Sequence, residues 1–255
     1  MSPVGRNVTG VVAALRAEAR SVGGERAGLM VRVSGMGCER AARSALALVR
    51  AGAGSLLCWG VAGALDPALG CGDIVLASEV ICETPLTLQL DGLQPVAVAA
   101  RARLRTSDRW RGELYAALAR QGAVRQGAVL TRGEVACEAS LKAGLFEQSA
   151  ALAVDLESAA VGVVAGLYGL PFMVVRVIAD TAADTLPPLL GTLAAAEPRT
   201  MLGRLAWLRL LCRPAAWPGL LRLARRYRAA LRVLRRCARA AWSRPAVPAG
   251  ARAEP

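Results

Sequence analysis

AVDLESAAVGVVAGLYGLPFMVVRVIADTAAD, residues 153–184, is the stretch whose reading decides the fold. Asp155 and Glu157 open a long apolar run that predicts a helix, and Gly169-Leu170-Pro171 breaks it. PFMVVRVI then predicts a β-branched strand, with Asp180 just past its end. In a parallel α/β sheet, ligands collect outside the carboxyl ends of strands. Asp180 is therefore expected to face a cleft, joined by the helix-opening pair if the strand before them is parallel.

Working outward, the same alternation recurs. Val8–Leu15 and Leu29–Ser34 read as strands, and the second runs through Gly35-Met36-Gly37 into a helix from Cys38 to about Val49. A helix N-terminus behind a glycine turn can hold an anion, which makes Gly35 and Gly37 a candidate anion or sugar loop. Ser55–Trp59 is a third strand, ending in Gly60-Val61-Ala62-Gly63, and Gly72–Val80 a fourth. Residues 83–107 lack a clean period and read as loop or short irregular strands. Ser107–Gln121 reads as a helix capped by Ser107 or Asp108, and Ala123–Thr131 as a strand. Strands alternating with helices at these intervals predict a doubly wound or similar α/β sheet.

Composition narrows the chemistry. The chain of 255 residues contains no histidine, which removes histidine acid–base catalysis, Ser-His-Asp triads and the commonest nitrogen ligand for zinc. Proton transfer is left to carboxylates, Tyr, Cys, Lys or Arg, and no metal site is expected. Seven cysteines without a C-x-x-C pair read as free thiols of a reducing, cytoplasmic environment. No uncharged stretch is long enough to span a bilayer.

The net charge of +13 belongs to one end. Residues 199–255 hold fourteen arginines against the single acid Glu254, whereas residues 1–198 are neutral. Two regions are therefore expected: a body over 1–198 and a basic helical tail over 199–255. Within the tail, about Thr200–Leu211 reads as a short apolar helix. From Pro218 to Trp242 a longer one places Leu223, Tyr227, Leu231, Leu234 and Ala238 on one face and eight arginines on the other. Such a helix can pack on a core with its charges in solvent, lie on an anionic membrane surface, or bind nucleic acid.

Four segments, in register, resemble one family. GVVAALRAEA (10–19), WGVAGALDPALGCGDIVLASEV (59–80), VDLES (154–158) and LPFMVVRVIAD (170–180) are similar to the purine nucleoside phosphorylase/nucleosidase superfamily, and within it to the methylthioadenosine/adenosylhomocysteine nucleosidases. SGMGCERAARSALALVRAGAGSLLCWGVAGALDPAL (34–69), DTAADTLPP (180–188) and the arginine-rich helix resemble the bacterial hopanoid-biosynthesis-associated phosphorylases. The resemblance implies a single α/β domain with a mixed central sheet flanked by helices. It also implies cleavage of the N-glycosidic bond of an adenine nucleoside, adenosylhopane in the closer group, with water or inorganic phosphate as co-substrate and no cofactor. A homodimer is usual for the resembled nucleosidases and is expected here. A substrate dissolved in the membrane would be met at its inner face by a cytoplasmic protein through the basic helix, residues 218–242, if that helix lies on lipid and not on the core, and no nucleic-acid partner is expected.

Residue roles are implied one by one. Glu157 matches the glutamate that hydrogen-bonds the ribose hydroxyls, Asp180 the aspartate acting at purine N7, and Glu18 the glutamate that deprotonates the attacking water. Leu156 stands where the family has a methionine under the sugar. Asp155 is expected to be structural. Two departures qualify the match. The arginine and serine that hold phosphate in the phosphorylases are replaced by Cys58 and Val61, which favours hydrolysis unless Arg16, Arg20 or Arg40 rebuilds an anion site near Gly35–Gly37. No Phe stands in Thr131–Glu138, the segment expected to stack on the base.

Overall fold

The computed structural model describes residues 8–23, 28–187 and 217–242. Its frame is β1 (Thr9–Ala13), β2 (Leu29–Val33) and the long β3 (Ser55–Ala64); β1 and β3 are largely buried, whereas β2 is buried only at Leu29 and exposes Arg32 and Val33. β1 pairs in parallel with β2 and with the first half of β3, Thr9↔Ser55 to Val12↔Cys58. The second half of β3 has another partner. Gly63 and Ala64 pair antiparallel with Val154 and Ala153 of β9 (Ala153–Asp155).

Along its opposite edge β3 pairs in parallel with β10 (Phe172–Asp180), from Leu56↔Phe172 to Gly63↔Asp180. β10 pairs antiparallel with β4 (Ile74–Cys82), β4 in parallel with β8 (Val124–Thr131), and β8 in parallel with β9. The order β3-β10-β4-β8-β9 thus returns to β3 and closes a ring, with β1 and β2 as an outer wing. This is the mixed central sheet flanked by helices that the sequence predicts.

Side chains alternate along β3, so it feeds two cores. Leu56 and Cys58 pack with Val12, Val174 and Ile178 beneath α2 (Cys38–Arg50) and α5 (Ser158–Leu167). Leu57 and Trp59 pack with Val11, Met173, Val175 and Val177 on the other side. That second side is covered by α1 (Arg16–Ser21), α3 (Asp108–Leu118, capped by Ser107 as expected) and α6 (Trp217–Trp242).

Of the three readings of the basic helix, the apolar face of α6 adopts the first. Ala230, Leu231, Val233, Leu234, Cys237 and Ala238 are buried against the sheet and α1, and Trp242 packs on Trp59 with ring centroids 5.3 Å apart. Arg222, Arg225, Arg228, Arg232, Arg235, Arg236 and Arg239 remain exposed. The helix expected over Thr200–Leu211 lies outside the described residues.

Several boundaries differ from expectation. Asp155 ends a strand instead of opening a helix, because the VD pair completes the β9 ladder with β8 at Thr131↔Asp155. Asp180 is the last residue of β10, not the first beyond it, and a bulge between Ile178 and Asp180 adjusts its register. β3 runs through the glycines to Ala64, whereas the sequence reading ends it at Trp59. Residues 83–107 hold a hairpin, β5 (Leu86–Leu88) with β6 (Val96–Val98), and β7 (Arg103–Arg105) on β4. A further helix, α4 (Ala139–Ser149), follows β8.

Candidate active site

The site is built around Arg176, a charge in the middle of an apolar strand and 1 % exposed. Its guanidinium is engaged through Nε and Nη2. Nε donates to Asp155 Oδ2 at 2.9 Å, and Nη2 lies 2.8 Å from the same oxygen. Nη2 also donates to Cys58 Sγ at 3.1 Å, Ser158 Oγ at 3.2 Å and Glu157 Oε2 at 3.4 Å. Asp155 is held in turn by Thr131 Oγ1 at 2.7 Å, by the Ser158 hydroxyl, and by the amides of Glu157 and Ser158. The structure thus supports a structural role for Asp155: it ties β8, the start of α5 and β10 together.

Glu157 sits at the N-cap of α5, 4 % exposed. Its Oε1 accepts from the Gly37 amide at 3.0 Å. Gly37 has φ +103°, a left-handed conformation that glycine adopts freely, and it caps α2. The amide expected to meet an anion from solution therefore meets a carboxylate of the protein itself. Burial pushes Glu157 up to about 7, with Arg176 opposing the rise and Asp155 adding to it. Leu156, half-buried, accepts a hydrogen bond from Cys38 Sγ at its carbonyl, 3.2 Å, so α2 and the VDLES segment are joined twice.

Glu18 comes from the opposite end of the chain. It is 2 % exposed; Oε2 accepts from the Leu15 amide at 2.8 Å and Oε1 from the Val61 amide at 3.0 Å. Burial raises its pKa above the ordinary carboxylate value, with Arg176 opposing. The reason it can reach the guanidinium is Gly60. Gly60 lies opposite Arg176 in the β3–β10 register, and a Cβ there would stand 2.7 Å from both Arg176 Nη1 and Glu18 Oε1. Gly63 plays the same part for Asp180, where a Cβ would stand 3.0 Å from Oδ2. Each charge on β10 faces a glycine on β3.

Asp180, 7 % exposed, lines a cleft of about 290 Å³ with Gly63, Asp155, Leu156, Val135 and Leu186. Lys142 of α4, the only lysine of the chain and completely buried, donates to Asp180 Oδ2 at 2.5 Å. Burial raises the Asp180 pKa, against the opposing pull of Lys142. A desolvated carboxyl with an adjustable proton, at a strand end in a cleft, is suited to acid catalysis.

Of the expected residues, Glu18, Glu157, Gly37, Gly60 and Val61 converge around Arg176, while Leu156 and Asp180 line the adjoining cleft. Gly35 lies against Arg40, whose Cδ is 3.2 Å from where its Cβ would be. Arg16 and Arg20 are exposed and contribute no hydrogen bond to the cluster. Sequence reasoning missed Lys142, Arg176, Thr131 and Ser158. A signal existed for two of them: a lone lysine in an arginine-rich chain, and an arginine inside an apolar strand, which burial obliges to find partners. Among the described residues no cluster of acids and cysteines is placed to hold a metal ion, and no helix is long and apolar enough to cross a membrane.

Comparisons with known proteins agree with this architecture. The 5'-methylthioadenosine/S-adenosylhomocysteine nucleosidase of Helicobacter pylori superposes with a TM-score of 0.63 at 18 % identity, over 91 % of this chain and 98 % of that one. The futalosine hydrolase of the same organism gives 0.62 at 18 %, over 91 % and 97 %. The Neisseria meningitidis 5'-methylthioadenosine/S-adenosylhomocysteine nucleosidase gives 0.62 at 18 %, over 90 % and 98 %. Curated protein sequences yield no match. The family model of the phosphorylase superfamily matches residues 16–200, from the helix that carries Glu18 to beyond the strand that carries Arg176 and Asp180, and the chain belongs to that superfamily.

Proposed function

We propose that this protein is a nucleosidase that hydrolyses the N-glycosidic bond of an adenine nucleoside. One observation carries the choice of water over phosphate. Groups that could bind an anion (the Gly37 amide, the Val61 amide, and Nε and Nη2 of Arg176) are already taken by the carboxylates of Glu157, Glu18 and Asp155. A phosphate dianion placed there would lie against buried negative charge, whereas a water molecule gains a desolvated base.

In this mechanism Glu157 binds the ribose hydroxyls and stabilises positive charge developing at the anomeric carbon. Asp180 delivers a proton to N7 as the C1'–N9 bond breaks and its electron pair passes to the purine. Glu18 takes a proton from the water whose oxygen bonds C1'. The products are adenine and the free sugar. Burial raises the pKa of Glu18, which makes it a stronger base than an exposed carboxylate, and general-base catalysis by a positioned side chain is worth about 10²–10⁴-fold in rate.

Adenosylhopane is the substrate favoured by the resemblance of residues 34–69, 180–188 and the arginine-rich helix, with ribosylhopane as second product. The setting would be cytoplasmic, and a homodimer is the expected assembly. The apolar face of α6 being occupied, membrane contact would rest on its exposed arginines.

Adenine release is measured from adenosylhopane and from methylthioadenosine, with and without phosphate. Release from adenosylhopane that phosphate does not accelerate is expected, and Glu18→Gln should lower it by about 10²–10⁴-fold. Absence of adenine from both substrates in folded protein refutes the proposal; phosphate dependence refutes hydrolysis.

A further inference from the structure

The turn that follows β10 is fastened from two sides. On the inner side, Lys142 Nζ donates to three oxygens: Asp180 Oδ2 at 2.5 Å, the Thr181 carbonyl at 2.9 Å and the Asp184 carbonyl at 3.1 Å. An ammonium has three protons, so this set satisfies it and fixes its direction. On the outer side, Asp184 Oδ2 accepts from the Thr181 amide at 2.8 Å and the Thr181 hydroxyl at 2.7 Å, and it pairs with Arg226 of α6. Arg226 holds the Asp184 carboxyl well below the usual carboxylate range, with the Thr181 hydrogen bonds in support. Two of the three acceptors of the buried lysine are therefore carbonyls of a turn whose shape depends on a charge pair with the C-terminal helix.

We propose that Arg226 is a positioning residue for Asp180: by closing the Thr181–Asp184 turn it holds Lys142 in place, and Lys142 sets the direction and the proton affinity of the Asp180 carboxyl. The path is contiguous, by ion pair from Arg226 to Asp184, by hydrogen bonds from Asp184 to Thr181, along the turn backbone to the two carbonyls, and by hydrogen bonds through Lys142 to Asp180. Arg226 touches no reacting atom. It is set apart from the other arginines of the helix, which are exposed, by being half-buried against Asp184. The inference rests on the assignment of Asp180 as the acid at N7, and it makes the C-terminal helix part of the catalytic frame.

Removal of Arg226 loosens the turn and weakens the hold of Lys142 on Asp180. An opposite charge within about 4–6 Å lowers a carboxyl pKa by about 1–3 units, so a partial loss should raise that of Asp180 by about 0.5–1 unit. In Arg226→Gln, kcat for adenine release should fall about 10-fold with KM little changed, since misplacement costs the transition state more than the ground state. The limb of the pH–rate profile set by Asp180 should move upward by the same 0.5–1 unit. Arg226→Lys should restore much of both, and Arg228→Gln, which removes an exposed charge two positions away, should change neither.

A second readout does not depend on activity. Lys142 is the only lysine, so protein labelled with ¹⁵N-lysine gives one side-chain ammonium signal. In the wild type its buried, triply bonded protons should exchange slowly enough to be seen, and in Arg226→Gln the signal should shift and broaden. An unchanged Lys142 signal in Arg226→Gln overturns the positioning role. So does a fall in kcat with an unmoved pH profile, or one matched by a loss of melting temperature that Arg226→Lys does not repair. Failure of the wild type to release adenine, with the Lys142 signal still responding to Arg226→Gln, would instead indict the assigned reaction and leave the coupling standing.

Discussion

Arg176→Met is the most informative substitution because it removes one cation from between two buried anions while leaving much of its volume filled. Arg176 and Asp155 side chains are each 1 % exposed and that of Glu157 is 6 % exposed; the guanidinium contacts them at 2.8 and 3.4 Å. Breaking a buried pair by deleting one partner costs about 3–5 kcal/mol, since the desolvated charge left behind has nothing to offset it. For a domain of this size each kcal/mol lowers the melting temperature by about 2–4 °C, so a loss on the order of 10 °C is expected at about pH 8. The loss should shrink at about pH 5.5, because Glu157, raised by burial to about 7, is then protonated and one of the two stranded charges is gone. Urea unfolding of wild type and variant at the two pH values measures this, and Asp155→Asn added to the variant should recover part of the loss. A cost under about 1 kcal/mol at the higher pH, or one independent of pH, would refute the idea that Arg176 neutralises the cluster.

Glu157 predicts a pH dependence of its own. Its folded pKa of about 7 exceeds the ordinary carboxylate value of 4.5, so the native state holds a proton that the unfolded chain has released. Stability from this group is fully present at low pH and falls as pH rises through that window, by about 3 kcal/mol, and Glu157→Gln should flatten the slope in urea midpoints. Gly60→Ala drives a methyl within 2.7 Å of both Glu18 and Arg176. It should cost about 1–3 kcal/mol and lower adenine release by about 10²-fold; full activity would show that the two groups need not meet. Leu234→Ala, at a completely buried position of α6, should destabilise by about 2–5 kcal/mol, whereas Arg232→Gln on the opposite face should stay within about 0.5 kcal/mol. A Leu234→Ala variant as stable as wild type would mean that the helix does not rest on the core.

Much of the frame was legible because strands such as VTGVVAAL and PFMVVRVI are nearly continuous apolar runs, as strands buried on both faces must be. The carboxylates were legible as types, and their register with a family assigned them roles. What could not be read was long-range. β9 is three residues long and its ladder partners lie on β8 and β3, so Asp155 looked like the start of a helix when it is the end of a strand. The glycines of β3 read as the end of the strand because glycine usually weakens strands, whereas here Gly60 and Gly63 make room for charges on β10. α4 was missed for a related reason: ASLKAGLFEQS has no regular apolar stripe, and the side chain it buries deepest is its lysine. A buried lysine is legible only once its acceptors are known, and two of those are main-chain carbonyls, which leave no trace in a sequence.

The ring closed by β3 also dictates when the site can exist during synthesis. β3 emerges with one edge ready for β1, but its other edge must wait for β10, which is made only after most of the body. Until residues 172–180 arrive, a long apolar strand carries an open edge that can pair with a neighbouring chain. Pairings so distant in sequence also make closure slow. Glu18 has no guanidinium to face before then, Glu157 has no counter-charge, and Asp180 has not been made. The base, the cation and the acid are thus brought together in a single late step, and no N-terminal fragment that stops short of β10 can hold a rudimentary version of the site.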